Sequence, residues 1–177
     1  MSATVLETSR LILRPFREDD LDPLAALFAN PDFMRFSLGI YTREQTAAFL
    51  DKIIGWERAG LPSMFALELK PERKLLGYCG FFHHPSEVAG NVEIGYRLHR
   101  DSWNQGLVTE GAHAVRDHAF RDLNLPRVIS LIHPENAPSR RVAEKIGMTF
   151  REEILFRGFQ TQVFALTREQ WLRQCGA

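Results

Sequence analysis

The stretch "SWNQGLVTEG", Ser102 to Gly111, stands between two different periodicities, and its reading decides the fold. Upstream, "NVEIGYRL" from Asn91 to Leu98 reads as a strand. Downstream from Val108 the apolar positions Ala112, Val115, Ala119 and Leu123 step by three or four, so the chain turns helical. Unpaired N–H groups of a first helical turn converge at such a junction. Gly106 removes the Cβ that would keep a ligand from the backbone, and Trp103, Asn104 and Gln105 bring no carboxylate to repel a phosphate. The helix dipole supplies only about 0.3–1 kcal/mol, or ~2 when partly buried, so several N–H bonds would carry most of the holding. Two readings stand at this point: a plain strand-to-helix turn and an anion seat. The sequence has no G-x-x-x-x-G-K-[ST], and no G-x-G-x-x-G followed by an acidic ribose partner.

Composition removes other classes. The chain has 177 residues, 45% apolar and 25% charged, enough for one domain with a core of its own. Lys plus Arg and Asp plus Glu both number 22, so no global basic field calls for nucleic acid. There is no apolar run of about 18 residues and no basic-then-apolar leader pattern. A soluble cytoplasmic protein is expected, with neither membrane nor nucleic acid as partner. Cys79 and Cys175 form no disulfide framework and no C-x-x-C pair, and both read as inert thiols.

The remaining chain has no repeat or linker. "RLILRPF", Arg10 to Phe16, reads as a strand, with Pro15 at an edge or strand end. Asp19 or Asp20 then caps a helix carrying Leu21, Leu24, Ala25 and Phe28. "TREQ", Thr42 to Gln45, is a capping box ahead of Phe49, Leu50, Ile53 and Ile54 on one helical face, and Gly60 and Pro62 end that helix. Strand-like runs "MFALEL" from Met64, "LLGYCGFF" from Leu75 and "NVEIGYRL" follow, with turns at Pro71 and Gly90, which predicts an antiparallel meander. After the Val108 helix, "RVISLI", Arg127 to Ile132, is a buried strand. Asn136 as N-cap, Pro138 in the first turn and Gly147 as C-cap bracket a compact helix. Strands at about Thr149 to Phe156 and Gln160 to Leu166 flank Gly158, and a second "TREQ" from Thr167 opens a terminal helix.

This order, with its motifs, resembles the GNAT superfamily of acyl-CoA N-acyltransferases, in particular the ribosomal-protein N-terminal acetyltransferase-like (RimJ/RimL-type) branch. That branch typically shows "R-L-x-L-R", "E-I-G-Y", "W-G-x-G-x-A-T-E" and "N-x-x-S-x-x-x-x-E-K-x-G". Here the corresponding blocks are "RLILR" from Arg10, "EIGY" from Glu93, "WNQGLVTE" from Trp103 and "NAPSRRVAEKIG" from Asn136. The resemblance covers about residues 8–172 and implies one domain over 1–177 of the α/β (α+β) class. Its fold would be a mixed, mostly antiparallel sheet of about seven strands, splayed between the fourth and fifth and flanked by four to five helices, with acetyl-CoA in the splay.

The resemblance also implies site residues. The pyrophosphate loop falls on Trp103, Asn104, Gln105, Gly106, Leu107 and Val108, with Thr109 following. The strand carrying Ile94, Tyr96 and Leu98 would pair its backbone with the pantetheine amides. Asn136 matches a cofactor-contacting Asn, and Ser139 a serine near the thioester sulfur. Asn104 stands where the branch usually has Gly, and Val108 where it usually has Ala, which puts cofactor affinity in question at those two positions. The partners implied are acetyl-CoA and an amine-bearing acceptor, small molecule or protein N-terminus, with a monomer or homodimer both open and no metal.

Acyl transfer needs a neutral amine, a polarised thioester carbonyl and a proton for the departing thiolate. An α-amine has a pKa near 7.7–8.0 and a lysine one near 10.4, a difference of roughly 3.5 kcal/mol in neutralising the nucleophile. Candidate bases are Glu93, Glu110 and Glu152 or Glu153. Glu93 ranks first, on the strand bordering the splay, against a structural carboxylate paired with Arg97 or a backbone group. Tyr96 is a candidate proton partner, against a core tyrosine with a satisfied hydroxyl. His83 and His84 alternate faces on a strand and cannot share a metal, and His113 and His118 lack further ligands. Arg140 and Arg141 reach either cofactor phosphates or solvent. Phe33, Met34, Phe36 and Tyr41 line an acceptor side or form a plain apolar cap. A CoA-binding module without catalysis and an interaction protein are the competing classes.

Overall fold

The computed structural model describes residues 4–84 and 92–176. Its strands are β1 (Leu6–Glu7), β2 (Leu11–Pro15), β3 (Met64–Leu69), β4 (Lys74–His83), β5 (Val92–Leu98), β6 (Arg127–Ile132), β7 (Thr149–Phe156) and β8 (Phe159–Thr167). They form one sheet in the order β1-β2-β3-β4-β5-β6-β8-β7. The helices are α1 (Leu21–Phe28), α2 (Arg43–Arg58), α3 (Leu107–Arg121), α4 (Ala137–Lys145) and α5 (Arg168–Cys175). The one strand beyond the seven expected is β1. At two residues it is too short to display any alternation, and only its pairing with β2 defines it.

"MFALEL" is apolar at every position but Glu68, without alternation, because the sheet is covered on both faces. Alternation sends Phe65 and Leu67 to a core shared with Ala112, Val115, Ala119 and Phe120 of α3, and Val142 and Ala143 of α4. Met64 and Ala66 go the other way, against Leu24 and Phe28 of α1 and Leu50, Ile53 and Ile54 of α2. Both "TREQ" stretches form reciprocal capping boxes, at Thr42 and at Thr167. Asn136 caps α4 through its side chain, accepting from the Ser139 amide. The expected turn at Gly90 and the strand residue Asn91 lie outside the described residues.

Asp20 does not cap α1 by side-chain bonding as expected. Its carboxylate accepts from the Arg17 amide, closing the short turn Glu18–Asp20, and from both Arg14 terminal nitrogens at 2.8 and 2.7 Å. Arg14 also donates to Glu68 Oε1 at 2.6 Å, and all three side chains are buried. The guanidinium fork and the Arg17 amide take the carboxylate, so none of its oxygens is left for the first turn of α1. Removing one partner from such a buried set costs about 3–5 kcal/mol.

The sheet changes character between β5 and β6. These are the fourth and fifth strands once β1 is set aside, and they are parallel, in register only at Val92↔Val128 and Glu93↔Ile129. Beyond that they part. All other neighbouring pairs are antiparallel. Among the described residues no helix is long and apolar enough to cross a membrane.

Candidate active site

The parting of β5 from β6 opens a cavity of about 110 Å³ lined by residues of both strands together with Phe36, His133, Asn136 and Ser139. Where the strands separate, Ser130 on β6 donates its hydroxyl to the Ile94 carbonyl at 2.7 Å. Ile94 therefore presents its backbone toward β6, and by strand alternation Tyr96 and Leu98 do the same. The Leu98 carbonyl accepts from the Trp103 indole at 2.9 Å. Backbone hydrogen-bonding groups thus face the opening along β5, with side-chain donors already placed at both ends of the row.

Side chains of β5 divide between the two faces. Ile94, Tyr96 and Leu98 lie on the α3 side, with Ile94 and Leu98 in its core and Tyr96 packed against it. Glu93 Oε2 lies 2.5 Å from His84 Nε2, and both side chains are nearly buried, 12% and 11% exposed. His84 was not an expected partner of Glu93, and Arg97 does not pair with it; the expected backbone partner is the Leu131 amide, which donates to Oε1 at 3.4 Å. A carboxylate–imidazole pair beside a cavity can take up a proton. Gly95 follows, and a Cβ there would meet the Phe82 ring at 2.8 Å, so this ring lies close over the strand next to Glu93. Arg97 donates to Ser37 Oγ at 2.5 Å and lies over the Phe33 ring.

Tyr96 donates its hydroxyl to the Ser139 carbonyl at 2.8 Å. Burial pushes its phenol well above the ordinary tyrosine range, so it is a standing donor and not a base. Asn136 binds the Ser139 amide at 3.2 Å, which leaves the Ser139 hydroxyl out of that cap, and Ser139 lines the cavity.

The loop at the start of α3 is left-handed at two places. Gly106 has φ 75° and Asn104 φ 59°. Asn104 replaces glycine in a conformation that asparagine tolerates better than most residues, so this departure is accommodated at the backbone. Val108 packs its side chain against the main core and not into the loop.

Arg10 binds the loop from the other side, donating to the Gln105 carbonyl at 2.8 Å and to Glu110 Oε2 at 2.7 Å. Glu110 also accepts from the Thr8 and Ser9 hydroxyls and the Arg10 amide. Burial pushes the Glu110 carboxyl up, but these bonds outweigh it and hold it at about 2. That carboxylate is committed to the turn between β1 and β2, Thr8 to Arg10.

Glu152 and Glu153 are exposed on β7, outside the cavity. His83 turns to the Pro62 carbonyl and His84 to Glu93. Among the described residues no His, Cys, Asp and Glu cluster has metal-holding geometry. Phe33 and Met34 are buried, Tyr41 edges Phe28, and Phe36 alone of that group reaches the cavity, beside His133. Arg140 and Arg141 are exposed and line a separate groove toward β7 and β8. His84 as the partner of Glu93, His133, and Ser130 as the tie between strands are the additions that sequence reading did not supply. A lone serine inside the apolar "RVISLI" was the only local signal among them.

Residues 10–149 match the family described as "Acetyltransferase (GNAT) domain". The chain is 28% identical over 173 residues to "Uncharacterized N-acetyltransferase YnaD" of Bacillus subtilis, covering 94% of this chain and 98% of that one. A GNAT-family acetyltransferase from Bacillus anthracis superposes with a TM-score of 0.80 at 28% identity, over 94% of this chain and 99% of that one. RimL, a ribosomal-protein α-N-acetyltransferase solved in complex with coenzyme A, has the same fold, with a TM-score of 0.79 over 93% of this chain and 98% of its own at 19% identity.

Proposed function

The chain belongs to the GNAT acetyltransferase family and is an acetyl-CoA-dependent N-acetyltransferase, and from that premise we propose that it acetylates α-amines by direct attack of the neutral amine on the thioester. The parting of β5 from β6 beside the Glu93–His84 pair carries the reading. Acetyl-CoA supplies the activated acetyl group. The residues present suit it: the Ile94, Tyr96 and Leu98 backbone faces the opening, and the first turn of α3, entered through left-handed Gly106, offers unpaired N–H groups for the phosphates. In this reading Trp103 through Thr109 hold the pyrophosphate, Asn136 fixes the first turn of α4, Ser139 and Tyr96 stand near the leaving sulfur, and Glu93 with His84 takes the proton of the amine.

An α-amine is favoured because it needs little help to be neutral near pH 7, roughly 3.5 kcal/mol less than a lysine. RimL, whose fold this chain shares, is named for the same kind of acceptor. The test is thiol release across an amine panel with product masses read by mass spectrometry. Acetylated α-amines, formed faster than acetylated lysine side chains at neutral pH, are the expected result. Binding of acetyl-CoA with no release by any amine would favour the competing reading, a CoA-binding module without catalysis.

A further inference from the structure

We propose that the acceptor carries a carboxylate on a side chain a few bonds beyond its amine, and that Arg97 receives it. This rests on the acetyl-transfer reading and narrows it to acidic α-amines. Glu93 and Arg97 are four residues apart on β5, so their side chains share one face, about 13 Å apart along the strand. Both line the same cavity. Tyr78, buried on β4 opposite Arg97, lines the same cavity. Between Glu93 and Arg97, Gly95 contributes no side chain, and Phe82 leans over it to form an apolar platform.

Glu93 is paired with His84. Arg97 has no carboxylate partner among the described residues. Its guanidinium meets Ser37 Oγ and the Met34 sulfur and the face of Phe33, all neutral. Asp32, the acid in that same loop, pairs instead with Arg100 at 2.9 Å. A half-buried guanidinium held only by neutral groups has unspent capacity for a carboxylate, which it binds through two parallel N–H bonds. An amine end near Glu93 and His84, an apolar midsection on Phe82 and an anionic end at Arg97 fit the separation once both side chains reach inward. A peptide N-terminus with an acidic side chain close behind it supplies this chemistry.

The experiment compares isosteric pairs. Short peptides differing only as Glu against Gln or Asp against Asn near the N-terminus are compared, with kcat/KM measured for each at saturating acetyl-CoA. Wild type is expected to prefer at least one acid over its amide by about tenfold or more. In Arg97→Gln that ratio should fall to near one, with the acid losing far more than the amide. Arg97→Lys should keep an intermediate ratio, since it retains charge without the fork, and thermal melting shows whether each variant is folded. Equal use of acid and amide in every pair by wild type overturns the proposal, as does an equal loss for both in folded Arg97→Gln. Turnover of neither member of any pair overturns the α-amine reading beneath it.

Discussion

Tyr96 on β5 donates its hydroxyl to the carbonyl of Ser139 on α4, 2.8 Å away, and so spans the opening where the sheet comes apart. Three elements converge there. β5 brings Tyr96 and Glu93, β6 delivers the chain to Asn136, and the Asn136 cap fixes the turn that carries Ser139. The tie sets how far α4 stands from β5.

Ser139→Ala is expected to lower kcat about ten- to a hundredfold, or about 1.4–2.7 kcal/mol of transition-state stabilisation, with acetyl-CoA affinity little changed. Asn136 binds the Ser139 amide and Tyr96 its carbonyl, and both survive the substitution. The loss is modest because a thiol of pKa near 8.5 is already a tolerable leaving group. Unchanged kcat, with chemistry shown to limit turnover, would leave Ser139 as a purely structural residue of the first turn.

Glu93→Gln is expected to discriminate between amines. If the pair with His84 takes the proton, turnover of lysine-type amines should fall by about a hundredfold or more. Turnover of α-amines, nearly neutral already, should fall by less than about tenfold. Stopped-turnover rates on both amine types at one pH decide it, and equal losses on both would make Glu93 a structural carboxylate.

Glu110 predicts an acid-sensitive fold. Its folded-state carboxyl sits at about 2, below its ordinary 4.5, so it stabilises the protein above the unfolded value and that stabilisation is lost as pH falls from about 4.5 toward 2. Discounted for screening at half-exposed Arg10, the contribution at neutral pH is about 1–2 kcal/mol. Glu110→Gln should melt lower than wild type at neutral pH, and the gap should close in acid. A gap independent of pH would mean that the charge of Glu110 contributes nothing.

What was legible in the sequence was local. Capping boxes, the "RVISLI" strand and the α4 bracket of Asn136 and Gly147 are set by neighbours within a few residues, and they stand where periodicity and capping chemistry put them. The pairings that build the site were not. Arg10 and Glu110 lie 100 residues apart, and nothing near either announces the other. Glu93 meets His84 because the register of β4 and β5 sets Phe82 opposite Glu93, bringing the end of one strand beside the start of the next. Asp20 carried a helix-cap signature that was outweighed by Arg14, a competitor visible only after folding. The parting of β5 and β6 came from family resemblance, since no periodicity records where two strands stop pairing.

The most direct measurement is the calorimetric affinity of Gly106→Glu for acetyl-CoA beside wild type, with circular dichroism to verify the fold. Gly106 combines φ 75° with a place at the N-terminus of α3, and a Cβ there would face the Arg10 guanidinium at 3.5 Å, so the substitution adds backbone strain and a negative charge at the turn whose N–H groups are assigned to the phosphates. Loss of detectable binding, at least about a hundredfold (~2.7 kcal/mol), is expected in a protein that remains folded. Near-normal affinity in folded Gly106→Glu would contradict it and place acetyl-CoA elsewhere.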